Sequence, residues 1–131
     1  MIQQDYLMRM IEQLGAFVRA IAGGKAGREQ LDGQLDEMAL ECLGLPMVLL
    51  LALPPEEAYR LMEASERAVP EKAFLLGEML VAKAATADSA AEAEAWRAKA
   101  RYLFGRAKGQ VGGEFELRIA ARIAEQSKGD S

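Results

Sequence analysis

The chain has 131 residues, of which 51% are hydrophobic and 27% are charged, and its formal net charge is −4. This length and composition are typical of one globular domain, which we place at 1–131. There is no histidine and a single cysteine, Cys42, so Ser-His-Asp and Cys-His catalytic groups, histidine metal sites and intrachain disulfides are excluded. We therefore expect a protein that is not an enzyme and that holds no metal or cofactor.

β-Branched residues are scarce along the chain, which has five valines, five isoleucines and one threonine. Alanine and leucine, which favour helices, dominate instead. No segment alternates apolar and polar residues as a half-buried strand does. The composition predicts an all-α fold of six or seven helices.

The first predicted helix spans about 5–22, within an N-terminal segment 1–24. Its apolar side chains recur at spacings of four and three residues, which places them on one face; they are Leu7, Ile11, Leu14, Val18 and Ile21. One interpretation is that this stripe covers the core of its own chain. The other is that it forms the seam of a homodimer, with 1–24 as a dimerisation arm that swings at the glycine-rich segment 23–27.

Three helices are predicted next, at about 28–43, 47–53 and 55–67, with glycine or proline between them. The segment 47–53 is apolar throughout, which predicts a short buried helix. In the helix at 55–67 we expect Ala58, Leu61 and Met62 to face inward.

Acidic residues and the cysteine of this region raise the question of a reactive or metal site. Two carboxylate pairs are spaced one helical turn apart, Asp32/Asp36 and Glu37/Glu41. Such pairs favour a solvated acidic face, with weak Mg²⁺ binding as the alternative, because a di-metal bundle would add histidines. Cys42 has no basic neighbour in sequence, so we expect a buried small side chain rather than a reactive thiol.

The C-terminal half predicts helices at about 70–86 and 89–108 and a final helix marked by Phe115, Ile119 and Ile123. Asp88 or Ser89 is expected to cap the second of these. We expect 28–126 to form right-handed antiparallel helical hairpins. The predicted inward faces are Ala73, Leu76, Gly77, Leu80 and Ala84, followed by Ala93, Trp96, Ala100, Leu103 and Ala107.

Charge is distributed unevenly along the chain. Eleven acidic residues stand against three basic ones between Glu29 and Glu78, whereas seven basic residues stand against two acidic ones between Arg97 and Arg122. In the basic third, Arg97, Arg101 and Lys108 follow one side of a helix. This stripe is either a docking surface for an acidic peptide, a phosphate backbone or another subunit, or an ordinary solvated face paired with Glu92 and Glu94.

Two segments resemble known families. Leu76-Gly77 followed by Leu80 is similar to the Leu-Gly-x-x-Tyr core of a tetratricopeptide repeat, over about one repeat length. The opening residues 5–11, Asp-Tyr-Leu-Met-Arg-Met-Ile, resemble an uncharacterised bacterial family, a domain of unknown function. Its members open with an Asp-Tyr-Ile/Leu-Met-Arg helix and end in tetratricopeptide-like helices. The resemblance implies a tetratricopeptide-like C-terminal half and a bacterial origin, and it carries over no activity and no site residues.

These patterns favour a non-enzymatic module for protein–protein interaction or scaffolding, with a partner of unknown identity. The alternative function is that of a nucleic-acid-binding accessory protein that uses the basic C-terminal third, although the sequence pI of about 5.0 disfavours it. The longest apolar run, 47–53, is too short to cross a bilayer, and the N-terminal residues are unlike a signal peptide. We expect a cytoplasmic protein that does not bind membranes.

Overall fold

The computed structural model describes residues 2–22, 27–64 and 69–109, together with 117, 118, 120, 121 and 124. All the elements in these ranges are helical, which confirms the all-α prediction. Their bounds, in chain order, are α1 Ile2–Ala22, α2 Arg28–Met38, a π-helical turn Ala39–Leu43, α3 Met47–Ala52, α4 Pro55–Glu63, α5 Val69–Ala85 and α6 Ala90–Ala107.

Helix α5 forms the centre of the molecule. It packs along α6, and α1, α4 and the π-turn contact it as well. The residues predicted to face inward are buried, but burial extends all round the helix without a break from Lys72 to Leu80. The prediction of a single inward face was therefore too narrow for α5, because neighbouring helices enclose it on every side.

The hairpin of α5 and α6 has a short connection, which makes the two helices antiparallel neighbours. Ser89 caps α6: its Oγ accepts a hydrogen bond from the backbone N–H of Glu92 at 3.1 Å, and Glu92 Oε1 accepts one from the N–H of Asp88 at 3.2 Å. These reciprocal bonds satisfy donors that a helix start leaves without partners. The predicted inward residues of α6 are buried except Trp96, which is half-buried, and Phe104 adds a buried ring that the sequence analysis missed.

Helix α1 packs chiefly on α5 and also contacts α2. Ile11 and Leu14 of the predicted stripe are 4% and 2% exposed and belong to the core of their own chain. The side chains of the other members, Leu7, Val18 and Ile21, lie outside the described residues, as does the hinge segment 23–26. Where it is described, the stripe covers the chain's own core.

Helix α2 does not continue to Leu43 as one α-helix. From Ala39 the chain widens into the π-turn, where the N–H of Gly44 donates to the carbonyl oxygen of Ala39, five residues earlier. Gly44 then ends the element with φ 73°, in the left-handed region that glycine adopts without strain. Cys42 is buried in this turn, as predicted.

Helix α4 ends at Glu63, and the rest of its predicted length, 65–67, lies outside the described residues. Ala58 and Met62 face inward, but the prediction for Leu61 was wrong, since its side chain is 40% exposed. Tyr59 takes the inward position instead, and its ring lies 4.3 Å from the guanidinium carbon of Arg106 on α6. The residues that marked the predicted final helix, Phe115, Ile119 and Ile123, lie outside the described residues, whereas the described residues of that stretch, 117, 118, 120, 121 and 124, are helical.

Candidate functional site

A groove between α2 and α3, reaching Lys83 of α5, is the strongest candidate site. Its volume is about 200 Å³. Its lining combines four apolar residues with three charged ones: Leu35, Met47, Val48 and Leu51 with Asp32, Asp36 and Lys83. We call it the α2–α3 groove.

One apolar residue of the groove lining is exposed, and two other exposed apolar residues lie close to the lining residues in sequence. Val48, which lines the groove, is 73% exposed, and Leu40, one turn after Asp36, is 60% exposed. Leu49 beside Val48 is also exposed. The short helix predicted at 47–53 is present as α3, but the prediction that it is buried was wrong, because only Met47 and Leu50 are fully buried and the residues between them are exposed.

The position of α3 is fixed by a lysine that the sequence analysis did not single out. Lys99 of α6 donates hydrogen bonds from Nζ to the carbonyl oxygens of Leu51, at 2.7 Å, and Leu53, at 3.2 Å. The ammonium also lies 5.2 Å from the ring centre of Trp96, within the range of a cation–π contact. A cation at the C-terminal end of a helix satisfies carbonyls that lack helical partners. Burial lowers the pKa of Lys99.

The elements that form the groove carry more acidic than basic residues. From Arg28 to Ala52, which spans α2, the π-turn and α3, the chain has five acidic residues and one arginine, Arg28. Inside the groove, Lys83 Nζ lies 3.0 Å from Asp32 Oδ1. The two aspartates of the predicted carboxylate pair therefore differ. Asp32 is paired with Lys83, whereas Asp36 is exposed.

The two glutamates of the second predicted pair also differ in their hydrogen bonding. Glu37 is exposed, whereas Glu41 accepts a hydrogen bond at 2.8 Å from the hydroxyl of Tyr6 on α1. That bond raises the pKa of Tyr6 to about 12. Burial raises the pKa of the neighbouring Cys42 thiol, which keeps it protonated near neutral pH. Within the described ranges no three acidic or cysteine side chains converge as metal ligands.

The predicted basic stripe is less basic than its sequence indicates. Arg101 Nη2 lies 2.6 Å from Glu94 Oε2, and Arg97 Nε lies 3.4 Å from Glu94 Oε1, so that both arginines share one carboxylate. The hydrogen bond from Arg101 is the main cause that lowers the pKa of Glu94. Lys108 is exposed beyond the end of α6, about three helical turns from Arg97. Glu92, which the sequence offered as a second partner for the arginines, instead accepts a hydrogen bond from the backbone N–H of Asp88 at the N-terminus of α6.

A second cavity, of about 220 Å³, lies between α1 and α5. It is lined by residues of both signs of charge, Arg19 and Glu78 among them. The guanidinium of Arg19 lies over Gly15, where an added Cβ would be 3.5 Å from Nη1. No large apolar side chain that lines this cavity is exposed, whereas Val48 in the lining of the α2–α3 groove is 73% exposed.

Comparison with protein-family models, with curated proteins and with solved structures finds no match for this chain. In the part of the chain that the structure describes, no helix is both long enough and apolar enough to cross a bilayer. Any functional assignment therefore depends on the groove and on its surroundings.

Proposed function

We propose that the chain is a helical protein–protein interaction module, without enzymatic activity, that binds a partner through the α2–α3 groove. The observation that carries the proposal is the exposure of Val48, a residue that lines a preformed groove and is 73% exposed. Burying a side chain of this size under a partner contributes roughly 1.5–3 kcal/mol. Exposed apolar side chains clustered around a groove mark interaction sites more often than single scattered ones do.

The experiment compares two variants that change equally exposed apolar residues. Val48→Glu places a charge in the groove, and Leu117→Glu does so elsewhere, at a side chain that is 74% exposed. Each tagged variant is used to capture proteins from cells that make the chain. We expect a protein that the wild type and Leu117→Glu retain and that Val48→Glu loses. Capture that is equal in all three chains would contradict the proposal.

Nucleic-acid binding by the basic third has weaker support. Glu94 already engages Arg97 and Arg101, so this surface offers little net positive charge to phosphates. Catalysis also has little support, since the Cys42 thiol is buried and protonated and Tyr6 is a weak acid engaged with Glu41. A tetratricopeptide-like, bacterial and cytoplasmic protein remains our proposal from the sequence alone.

Homodimerisation through α1 is a separate proposal, and it now depends on Leu7, Val18 and Ile21, because Ile11 and Leu14 are already covered. Light scattering after size exclusion tests it. A mass that stays at one chain, 14.3 kDa, over a hundredfold range of concentration would exclude the seam.

A further inference from the structure

We propose that the occupant of the α2–α3 groove is a basic amphipathic helix of a protein partner, whose apolar side chains cover Val48 and Leu51 and whose lysine or arginine pairs with Asp36. This inference rests on the proposed docking function and adds the chemistry of the partner. Its basis is the charge, size and apolar lining of the groove.

The two aspartates of the groove differ in their surroundings. Asp32 has the ammonium of Lys83 at 3.0 Å, with the lysine side chain only 19% exposed. Asp36 lies one turn further along α2, lines the same groove and is exposed, and no side chain in the described ranges forms an ion pair with it. A cation from outside would therefore meet a carboxylate that has no intramolecular ion pair to break.

The size of the groove favours a protein side chain over a small molecule. Its volume of about 200 Å³ is below the ~300–1,000 Å³ of typical small-molecule sites. The aliphatic stem of a lysine or arginine would lie along Val48 and Leu51, with its charged end at Asp36.

The charge of the elements that form the groove favours one class of macromolecule over others as its occupant. Five acidic residues against one arginine between Arg28 and Ala52, the span that forms α2, the π-turn and α3, disfavour phosphate backbones and anionic lipid surfaces and favour a cationic polypeptide. The described elements contain no strand to which an extended peptide could add as a neighbour. The partner segment that fits this groove is a helix with apolar side chains three or four residues apart. Such a helix can lie between α2 and α3, because apolar residues of both helices line the groove.

The experiment is a selection from a displayed library of random 16-residue peptides on the immobilised full chain. Four variants are compared with the wild type: Asp36→Lys, Glu37→Lys, Val48→Glu and Leu117→Glu. Glu37→Lys is the matched control for Asp36→Lys, because it makes the same charge change at the next exposed residue of α2, outside the groove lining. All four positions are exposed, so circular dichroism and thermal unfolding should match the wild type.

We expect selected peptides to carry apolar residues at helical spacing with a lysine or arginine one turn away. Asp36→Lys should weaken their binding about tenfold or more, and Glu37→Lys less than about threefold, because the contact at Asp36 is direct. Val48→Glu should abolish binding, and Leu117→Glu should leave it unchanged.

The contrary outcomes separate the two proposals. One contrary outcome is a set of peptides that need Val48, have no excess of basic residues and bind Asp36→Lys as well as they bind the wild type. This outcome would overturn the proposal that the partner is basic and would leave the docking function standing. The absence of any peptide that distinguishes the wild type from Val48→Glu would overturn both. A concentration-dependent dimer that Val48→Glu abolishes would identify the occupant as a second copy of the chain and so overturn the assignment of a separate partner.

Discussion

Gly77 of α5 lies directly against the ring of Phe104 on α6. A Cβ at Gly77 would stand 2.5 Å from Cε1 of that ring, closer than non-bonded carbon atoms approach. The ring cannot easily move aside, because Phe104 is fully buried and packs against Phe74, with 5.5 Å between the ring centres and 55° between the ring planes. The absence of a side chain at Gly77 is therefore what lets α5 and α6 approach each other.

We expect Gly77→Ala to destabilise the fold by up to about 2 kcal/mol. Alanine gains about 1 kcal/mol of helix propensity over glycine, but overpacking a dense core costs roughly 1–3 kcal/mol. Gly105→Ala on α6 is the matched control, because an added Cβ there meets nothing within 4 Å. It should stabilise the chain by about 0.5–1 kcal/mol in urea unfolding. If both variants shift the unfolding midpoint in the same direction, the close contact has no energetic consequence.

Features encoded by neighbouring residues were predictable from the sequence. The helix starts at Pro55 and Ser89, the stops at glycines and the inward face of α6 follow from local spacing. The enclosure of α5 was not predictable to the same extent, since it depends on helices that are distant in sequence.

The candidate site escaped the sequence analysis for the same reason. The pairing of Asp32 with Lys83 joins residues 51 positions apart, and the bond from Lys99 to Leu51 joins residues 48 apart. One local signal was available: prolines on both sides of the apolar run at 47–53 limit α3 to a short helix, which cannot bury every face. The π-turn left no such signal, because its buried residues also fit an α-helical pattern.

Lys99→Met tests whether the ammonium of Lys99 holds α3 in place. Methionine keeps an unbranched apolar stem but removes the donor to the carbonyls of Leu51 and Leu53, so we expect a loss of about 1 kcal/mol or more in the free energy of unfolding. Hydrogen exchange should accelerate within 47–53, and peptide binding in the α2–α3 groove should weaken. Lys108→Met, at an exposed residue near the end of α6, is the control. Unchanged exchange in 47–53 would rule out this role for Lys99.

The hydrogen bond between Tyr6 and Glu41 predicts how the stability of the fold changes at alkaline pH. The pKa of Tyr6 is raised from 10.0 to about 12, so the folded chain keeps the phenol proton over a range in which the unfolded chain releases it. The stability that depends on this proton is complete below pH 10 and is lost as the pH rises towards 12. We therefore expect unfolding in urea to show a steeper loss of stability over this range for the wild type than for Tyr6→Phe.

The source of the Tyr6 shift can be tested by changing its partner. Glu41→Gln removes the carboxylate that accepts the Tyr6 hydrogen bond, so the tyrosine pKa, followed by ultraviolet absorbance, should fall back towards its ordinary value. Glu37→Gln changes the exposed carboxylate four residues earlier, at the end of α2, and should leave the titration as it is. Equal titration curves for the two glutamine variants would show that Glu41 does not cause the shift.

Glu94 controls how much positive charge α6 presents, and this separates the two functions that the sequence left open. The carboxylate engages Arg97 and Arg101, and Glu94→Gln removes its charge while keeping the length of the side chain. If the basic third bound nucleic acid, this change would strengthen binding to mixed oligonucleotides, since each added positive charge near a phosphate backbone favours association. We expect fluorescence polarisation at low salt to show no binding by the wild type and none by Glu94→Gln, with circular dichroism confirming that both are folded. Binding that strengthens in Glu94→Gln and falls steeply with salt would instead assign the basic face to nucleic acid and leave the α2–α3 groove as a second surface.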